Sequence, residues 1–264
     1  MCKLQDISYI MDKCAIKQYG ACSFKDVPVI NGKLPVPQNA KTVITTLFPY
    51  DTGYKGKRNI SKYAAVPDYH AVAAKYLKKA ADGLSEAFPE YSFLYYCDHS
   101  PINEVKAAAL SGLGVIGSNG LLINKKFGSF VFLGEIITDM LIECEKSKPK
   151  TCKQCGNCEL YCPTIAINAK AINDKSKCVS AITQKKGELS EYEKELIKIA
   201  GLVWGCDICQ NVCPMNKNAE RTTLPEFTDD IKPIFTPGDS SENRTWAWRG
   251  EEVVLRNYDL VNSG

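Results

Sequence analysis

The chain has 264 residues, of which 45% are hydrophobic and 24% are charged, and its formal net charge at pH 7 is +3. This composition fits one large domain or two small ones with a substantial core, and it excludes a fibre, a disordered tail and a membrane channel. The chain contains 13 cysteines, and an odd number excludes a fully paired set of disulfides. Because no apolar run approaches the ~18 residues of a membrane span and no signal-peptide core is present, we expect a cytoplasmic protein with reduced cysteines.

The first part of the chain, residues 1–145, predicts an α/β domain. Residues 41–50 are rich in β-branched side chains and predict a strand. Pro67-Asp68 precedes an apolar stripe at helical spacing, which predicts a helix extending to about Phe88. Residues 91–97 predict a second strand.

The second half of this domain is predicted to contain one more helix and two more strands. We expect Ser100 to cap the helix, with Pro101 at its first position and its end near Gly112. Residues 121–124 and 129–138 predict the strands, and the second of these carries apolar residues on both faces.

Residues 146–215 are predicted to form a cysteine-rich domain, and residues 216–264 a tail that packs on the rest. The pattern Ser190-x-x-Glu193 is a capping box, which predicts a helix that ends at Gly201.

Eight cysteines lie between Cys152 and Cys213 in ferredoxin-like spacing. Four occur as C-x2-C-x2-C-x3-C-P, three more occur as C-x2-C-x3-C-P near the end of the region, and Cys178 lies between the two groups. Three closely spaced thiolates hold three corners of one cluster, while the fourth cysteine of such a run ligates a second cluster. The spacing therefore predicts a first quartet, Cys152, Cys155, Cys158 and Cys213, and a second quartet, Cys162, Cys178, Cys206 and Cys209, each holding one 4Fe-4S cluster.

Two other interpretations of the eight cysteines remain open. Zinc ribbons also use C-x2-C pairs, although they need two pairs and four ligands, and inert thiols are the second alternative. The other cysteines, Cys2, Cys14, Cys22, Cys97 and Cys144, are scattered and are typical of small buried hydrophobic residues.

Residues 145–186 carry nine lysines and three acidic residues. The local explanation is that lysines offset the negative charge of thiolate-bound clusters. The alternative is a surface that receives nucleic-acid phosphates, and composition does not separate the two.

An electron carrier alone does not need the 145 residues that precede the cluster region, so we expect a site there that receives the electrons. The sequence contains no G-x-G-x-x-G or Walker motif, and His70 and His99 are its two histidines. Asp98 is the catalytic candidate, because it follows a predicted strand and precedes a helix. The alternative is that Asp98 caps that helix, whose N-terminus would lower its pKa, whereas a general acid needs a raised pKa.

The stretch from Asp98 to Asp139 resembles the epoxyqueuosine reductase family. The resemblance rests on an Asp, a Pro and a Glu, followed by L-S-G-L-G, G-S-N, L-L-I and F-G-S with L-G-E-I-I-T. Further similar segments are Ile60-Ser61-Lys62-Tyr63-Ala64, Asp68-Tyr69-His70, Cys178-Val179-Ser180 and Gly205-Cys206-Asp207-Ile208-Cys209-Gln210.

The resemblance implies a nitroreductase-like domain that binds cobalamin, followed by a ferredoxin-like domain with two 4Fe-4S clusters. It implies reduction of epoxyqueuosine to queuosine in the anticodon loop of transfer RNA, with Asp98 as proton donor. It also implies cobalamin contacts at Asp98, Ser180 and Asp207, although Ser180 also suits a turn cap and Asp207 an acceptor of backbone hydrogen bonds. We expect a monomer with a low-potential electron donor such as a flavodoxin or ferredoxin.

The sequence departs from the family pattern at several positions. Ser118 stands where the pattern has Lys, Val105 follows Glu104 where Arg is common, and His99 replaces a small residue. The family's C-terminal helical repeats are also absent from this sequence. Since Lys and Arg usually position nucleic acid, a related corrinoid reductase of a small molecule remains an alternative, as does an electron-transfer protein.

Overall fold

The structure is a computed structural model that describes residues 2–144, 148–168 and 173–263. None of the helices in these ranges is both long enough and apolar enough to cross a membrane.

The strands are β1 (Cys2–Lys3), β2 (Tyr19–Ser23), β3 (Thr42–Pro49), β4 (Phe93–Tyr96), β5 (Val115–Ile116), β6 (Leu122–Ile123), β7 (Val131–Thr138) and β8 (Ile142–Glu143). The α-helices are α1 (Ser8–Lys13), α2 (Lys62–Ala65), α3 (Tyr69–Ala87), α4 (Glu104–Leu110), α5 (Asn157–Leu160), α6 (Val179–Thr183), α7 (Glu191–Ala200), α8 (Ile208–Asn211), α9 (Pro225–Thr228) and α10 (Glu251–Asn262).

An antiparallel sheet with the strand order β2-β3-β7-β4 forms the centre of the N-terminal part. Strand β3 is buried along its whole length because helices cover both faces of the sheet. Ile44 and Phe48 pack in the same core cluster as Leu77 of α3, whereas Val43 packs with Ala107 of α4. The α/β class predicted from the sequence is confirmed, and the nitroreductase-like assignment stays a prediction.

Helix α3 begins as expected, with the Asp68 carboxylate accepting the backbone N–H of His70 at 3.0 Å. Helix α4 differs from the prediction that Ser100 caps it. Its cap is Asn103, whose side chain accepts the N–H of Lys106 at 3.0 Å. Tertiary contacts hold the preceding segment instead, because the Pro101 carbonyl accepts backbone N–H groups from the loop at residues 30–31 and Ile102 forms a bridge with Val29.

Helix α7 has the predicted capping box between Ser190 and Glu193 and ends at Gly201, whose φ is +63°. The segment 216–263 packs against both earlier parts of the chain. Phe227 lies in the core cluster of the sheet, and the side-chain amide of Asn257 in α10 donates to the carbonyls of Thr183 and Val203. The domain boundaries at residues 145 and 215 stay predictions.

Candidate active site and cluster-binding cysteines

The first quartet surrounds one cavity. Its four thiols line this cavity together with Gly117, Ser118 and Asn119 from the turn between β5 and β6. Cys155 is exposed, whereas the other cysteines of the quartet are half-buried. Spacing along the chain therefore identified four residues that do lie together, and one edge of this group faces solvent.

The second quartet has no exposed member, and its four cysteines are half-buried. The thiols of Cys178 and Cys162 are close enough to Cys206 to act on it electrostatically. Burial raises the pKa of Cys206 to about 11 and that of Cys209 to about 12. These thiols are protonated at neutral pH without a ligand, so iron must displace their protons when a cluster assembles.

The donor chemistry of both quartets suits 4Fe-4S clusters, which are held by four Cys thiolates each. The two groups adjoin, because Cys158 of the first quartet acts electrostatically on Cys209 of the second. The assignment of each cysteine to a particular cluster stays a prediction.

Asp98 lies in the loop between β4 and α4, with its backbone in the left-handed region at φ +63°. Its side chain is 62% exposed, and its Oδ2 lies 3.2 Å from Nε2 of His70. The other ring nitrogen of His70, Nδ1, lies 2.7 Å from Oδ1 of Asp68. The structure thus joins Asp68, His70 and Asp98 in one chain of hydrogen bonds.

His70 carries the proton of this group at neutral pH. Hydrogen bonds to Asp68 and then to Asp98 raise the pKa of His70 to about 9. The hydrogen bond from His70, opposed by partial burial, in turn lowers the pKa of Asp98. His70, and not a helix N-terminus, is the cause of the low pKa at Asp98, because Asn103 rather than Asp98 caps α4.

A second group of carboxyls lies on the inner side of the Asp98 loop. The Asp98 backbone N–H donates to Oε1 of Glu104 at 2.9 Å, which holds the left-handed conformation. Glu135 in β7 has no exposed surface and lies next to Glu104 and the Ser100 hydroxyl. Burial raises the pKa of both glutamates, so this pair retains a proton at a pH where free carboxyls are ionised.

Asp207 is buried, with a side-chain exposure of 1%, and it forms an ion pair with Arg58. Its Oδ2 also accepts the backbone N–H of Lys62 at 2.9 Å, as the backbone-acceptor alternative expects. Its Oδ1 and the neighbouring Ser61 hydroxyl are buried without a hydrogen-bond partner in the described part of the chain. Polar groups of a bound cofactor would explain why these buried atoms lack partners, and the cobalamin contact of Asp207 remains a prediction.

Ser180 lies in α6, two residues after Cys178. Its carbonyl accepts a hydrogen bond from Nε2 of Gln184 at 3.0 Å, and its hydroxyl lies beside the half-buried Tyr63 side chain. A cobalamin contact of Ser180 likewise remains a prediction.

The side chains around Asp98 exchange protons but carry no electrons. Burial raises the pKa of the neighbouring Cys97 thiol, which keeps it protonated. Two-electron chemistry at this site therefore requires a bound group. The exposed Asp98 carboxylate and the two unpartnered buried oxygens at Ser61 and Asp207 fit a polar cofactor such as a corrinoid.

Sequence reasoning missed the roles of His70 and of the Glu104–Glu135 pair. The segment Asp68-Tyr69-His70 was available as part of the family resemblance, and it was the signal for His70. No local pattern links Glu104 to Glu135, because the contact exists only when β7 lies behind α4.

Two family models match the chain. The model for "4Fe-4S double cluster binding domain" matches residues 151–216. The model for "Epoxyqueuosine reductase QueG, DUF1730" matches residues 35–99.

Curated relatives carry the name epoxyqueuosine reductase. The protein from Lactococcus garvieae is 32% identical over 86% of this chain and 70% of its own length. The protein from Cyclobacterium marinum is 38% identical over 85% of this chain and 70% of its own. In the relative from Gloeobacter violaceus the match spans 62% of its length, so the chain is shorter than these proteins.

Solved structures show the same fold. The epoxyqueuosine reductase of Streptococcus thermophilus superimposes with a TM-score of 0.83 at 23% identity, covering 97% of this chain and 80% of that chain. An epoxyqueuosine reductase solved with an epoxyqueuosine-modified transfer-RNA stem loop gives a TM-score of 0.82 at 23% identity, with the same coverage of 97% and 80%. Together with the curated relatives, these findings show that the chain belongs to the epoxyqueuosine reductase family.

Proposed function

We propose that this chain reduces epoxyqueuosine in transfer RNA to queuosine, with electrons from two 4Fe-4S clusters, a bound cobalamin and a proton from the Asp98–His70 pair. The proposal has the chain acting as a cytoplasmic monomer. The observation that supports it is a proton store, exposed at Asp98, in the same chain as four thiols around one cavity and a second group of neighbouring thiols.

The reaction defines what the residues must supply. Conversion of an epoxide to an alkene consumes two electrons and two protons, breaks both C–O bonds and releases the oxygen as water. When bound, the corrinoid supplies a cobalt centre able to act on carbon and to accept electrons one at a time.

Asp98 and His70 handle the first proton. The proton held on His70 Nε2 passes to the Asp98 carboxylate, which delivers it to the departing oxygen. The hydrogen bond that Nδ1 of the protonated imidazole donates to Asp68 holds the ring in place and stabilises its protonated form.

The two quartets suggest the direction of electron flow. The first quartet has an exposed cysteine, Cys155, where a low-potential flavodoxin or ferredoxin can approach. The second quartet includes the cysteines on both sides of Asp207, the residue with an unpartnered oxygen. Electrons therefore enter at the first cluster and leave from the second.

A related corrinoid reductase of a small molecule is the second candidate. It is favoured by Ser118 and Val105, which replace the Lys and Arg of the family pattern and remove two possible phosphate contacts.

One experiment separates the candidates. Protein purified and reconstituted without oxygen, with cobalamin and a chemical reductant, is incubated with transfer RNA that carries epoxyqueuosine or with the free epoxyqueuosine nucleoside. The proposal expects queuosine in the RNA, detected by nucleoside mass spectrometry. Loss of oxygen from the free nucleoside alone supports the small-molecule alternative instead.

A further inference from the structure

The turn between β5 and β6 contacts both cysteine quartets. The Ser118 hydroxyl lies 3.5 Å from Sγ of Cys152, in the first quartet. The side-chain amide of the next residue, Asn119, lies 3.6 Å from Sγ of Cys209, in the second. Two adjacent residues therefore each contact one ligand thiol, and the two thiols belong to different quartets.

The backbone of this turn is fixed by its own hydrogen bonds. The Gly117 N–H donates to the carbonyl of Leu121, and the Gly120 N–H to that of Gly117, both at 2.8 Å. Gly120 has φ +81°, and a Cβ on Gly117 would lie 2.4 Å from Oδ1 of Asn119. Glycine at position 117 is thus required for the Asn119 side chain to fold over the turn.

The turn is also attached to the cluster region. Asn173 donates to the carbonyl of Ser118 at 2.8 Å. The Cys152 N–H donates to the carbonyl of Ile116 at 3.0 Å, so the ligand loop pairs directly with β5. The two side-chain donors are held on a rigid support rather than on a loose loop.

A ligand thiolate has no proton, so the Ser118 hydroxyl and the Asn119 amide are the donors in these contacts. A hydrogen bond to a ligand sulfur stabilises the more negative, reduced cluster and raises its reduction potential.

We propose that Ser118 and Asn119 tune the two clusters separately, Ser118 raising the potential of the cluster on the first quartet and Asn119 that of the cluster on the second. The tuning would set the difference in reduction potential between the two clusters along the electron path, and this purpose rests on the proposed function. Each residue acts through a cysteine and is a positioning residue.

The test is a redox titration followed by electron paramagnetic resonance on the anaerobically reconstituted full chain, with no RNA added. Ser118→Ala should shift the midpoint of one cluster to a lower potential and leave the other unchanged. Asn119→Ala should lower the midpoint potential of the other cluster alone, and the double variant should lower the midpoint potentials of both clusters. Ser118→Thr, which keeps the hydroxyl, should retain the wild-type potentials.

Two further variants make the assignment unambiguous. Cys155→Ser alters the spectrum of the first-quartet cluster and identifies its signal. Asn119→Asp keeps the oxygen that accepts the Leu121 N–H at 3.3 Å but removes the amide N–H that donates to Cys209. It should therefore lower the midpoint potential of the second-quartet cluster, as Asn119→Ala does. Iron content of about eight per chain in every variant except Cys155→Ser shows that clusters are intact.

The inference is overturned if neither single variant shifts a midpoint, if both shift the same cluster, or if Ser118→Thr behaves like Ser118→Ala. These measurements do not depend on turnover. A wild-type protein with two tuned clusters that fails to reduce epoxyqueuosine would contradict the proposed function alone.

Discussion

The region around Asp98 and the cysteine module, which comprises the eight cysteines from Cys152 to Cys213, differ in how negative charge is neutralised. Around Asp98, the pair formed by the buried Glu135 and its neighbour Glu104 retains a proton, and a protonated His70 lies against Asp98. In the cysteine module, eight thiols lie in two groups whose charge is to be balanced by iron.

The reaction needs both protons and electrons, and the two regions provide them separately. A carboxyl that keeps its proton at neutral pH stores a proton, whereas a thiolate bound to iron supports a centre that changes charge by one electron. Variants that remove one of these without the other test whether the two regions are independent.

The largest effect is expected from loss of a ligand in the second quartet. Cys206→Ala removes one thiolate from that cluster and should abolish turnover while the first cluster persists. The iron content should fall from about eight to about four atoms per chain. Cys144→Ala, at a cysteine outside both quartets, is the matched control and should keep its iron and its activity.

His70→Gln should reduce the single-turnover rate by about 10²-fold, because the variant has no ionisable group to hold the proton for Asp98. In the wild type, activity should persist at neutral pH and fall as pH rises through about 9, where His70 loses its proton. A pH–rate profile on both proteins measures this. Equal profiles would show that His70 does not supply the proton.

Glu104→Ala should lower the rate by about 10-fold, since it removes the acceptor that holds the Asp98 backbone N–H. Glu104→Gln retains an acceptor oxygen and is the control that should keep most of the activity. If the two variants lost activity equally, the carboxyl itself rather than the position of the loop would matter.

Glu135→Gln should change the free energy of unfolding by about 1–2 kcal/mol, and it should remove a loss of stability that the wild type shows as pH rises. The folded-state pKa of Glu135 is raised, so the folded protein binds this proton more tightly than the unfolded chain does. Its stability is therefore greatest below the ordinary glutamate pKa and falls as pH rises above it. Urea unfolding should show that the free energy of unfolding falls less between about pH 5 and about pH 8 in the variant than in the wild type.

Local features of the molecule were predictable from the sequence. The capping box at Ser190 depends on neighbours within a few residues, and the structure has it as expected. The spacing of the cysteines predicts the four thiols that line one cavity, whereas the assignment of ligands to the two clusters stays a prediction. The start of α4 was not predictable, because tertiary contacts of the Pro101 carbonyl override the local capping signal at Ser100.

The site around Asp98 was predictable only in part. The position of Asp98 after a strand identified it as a candidate, but its pKa depends on His70, which is 28 residues earlier and reaches it through the packing of α3 on the sheet. Contacts such as Ser118 with Cys152, separated by 34 residues, also arise from the fold rather than from any local pattern.

The most direct test of the account is a single turnover by Asp98→Asn with reduced clusters, bound cobalamin and transfer RNA carrying epoxyqueuosine. The account predicts about eight iron per chain and a wild-type corrinoid spectrum, together with a loss of queuosine formation of at least about 10²-fold. Queuosine formed at the wild-type rate would contradict the assignment of Asp98 as the proton donor.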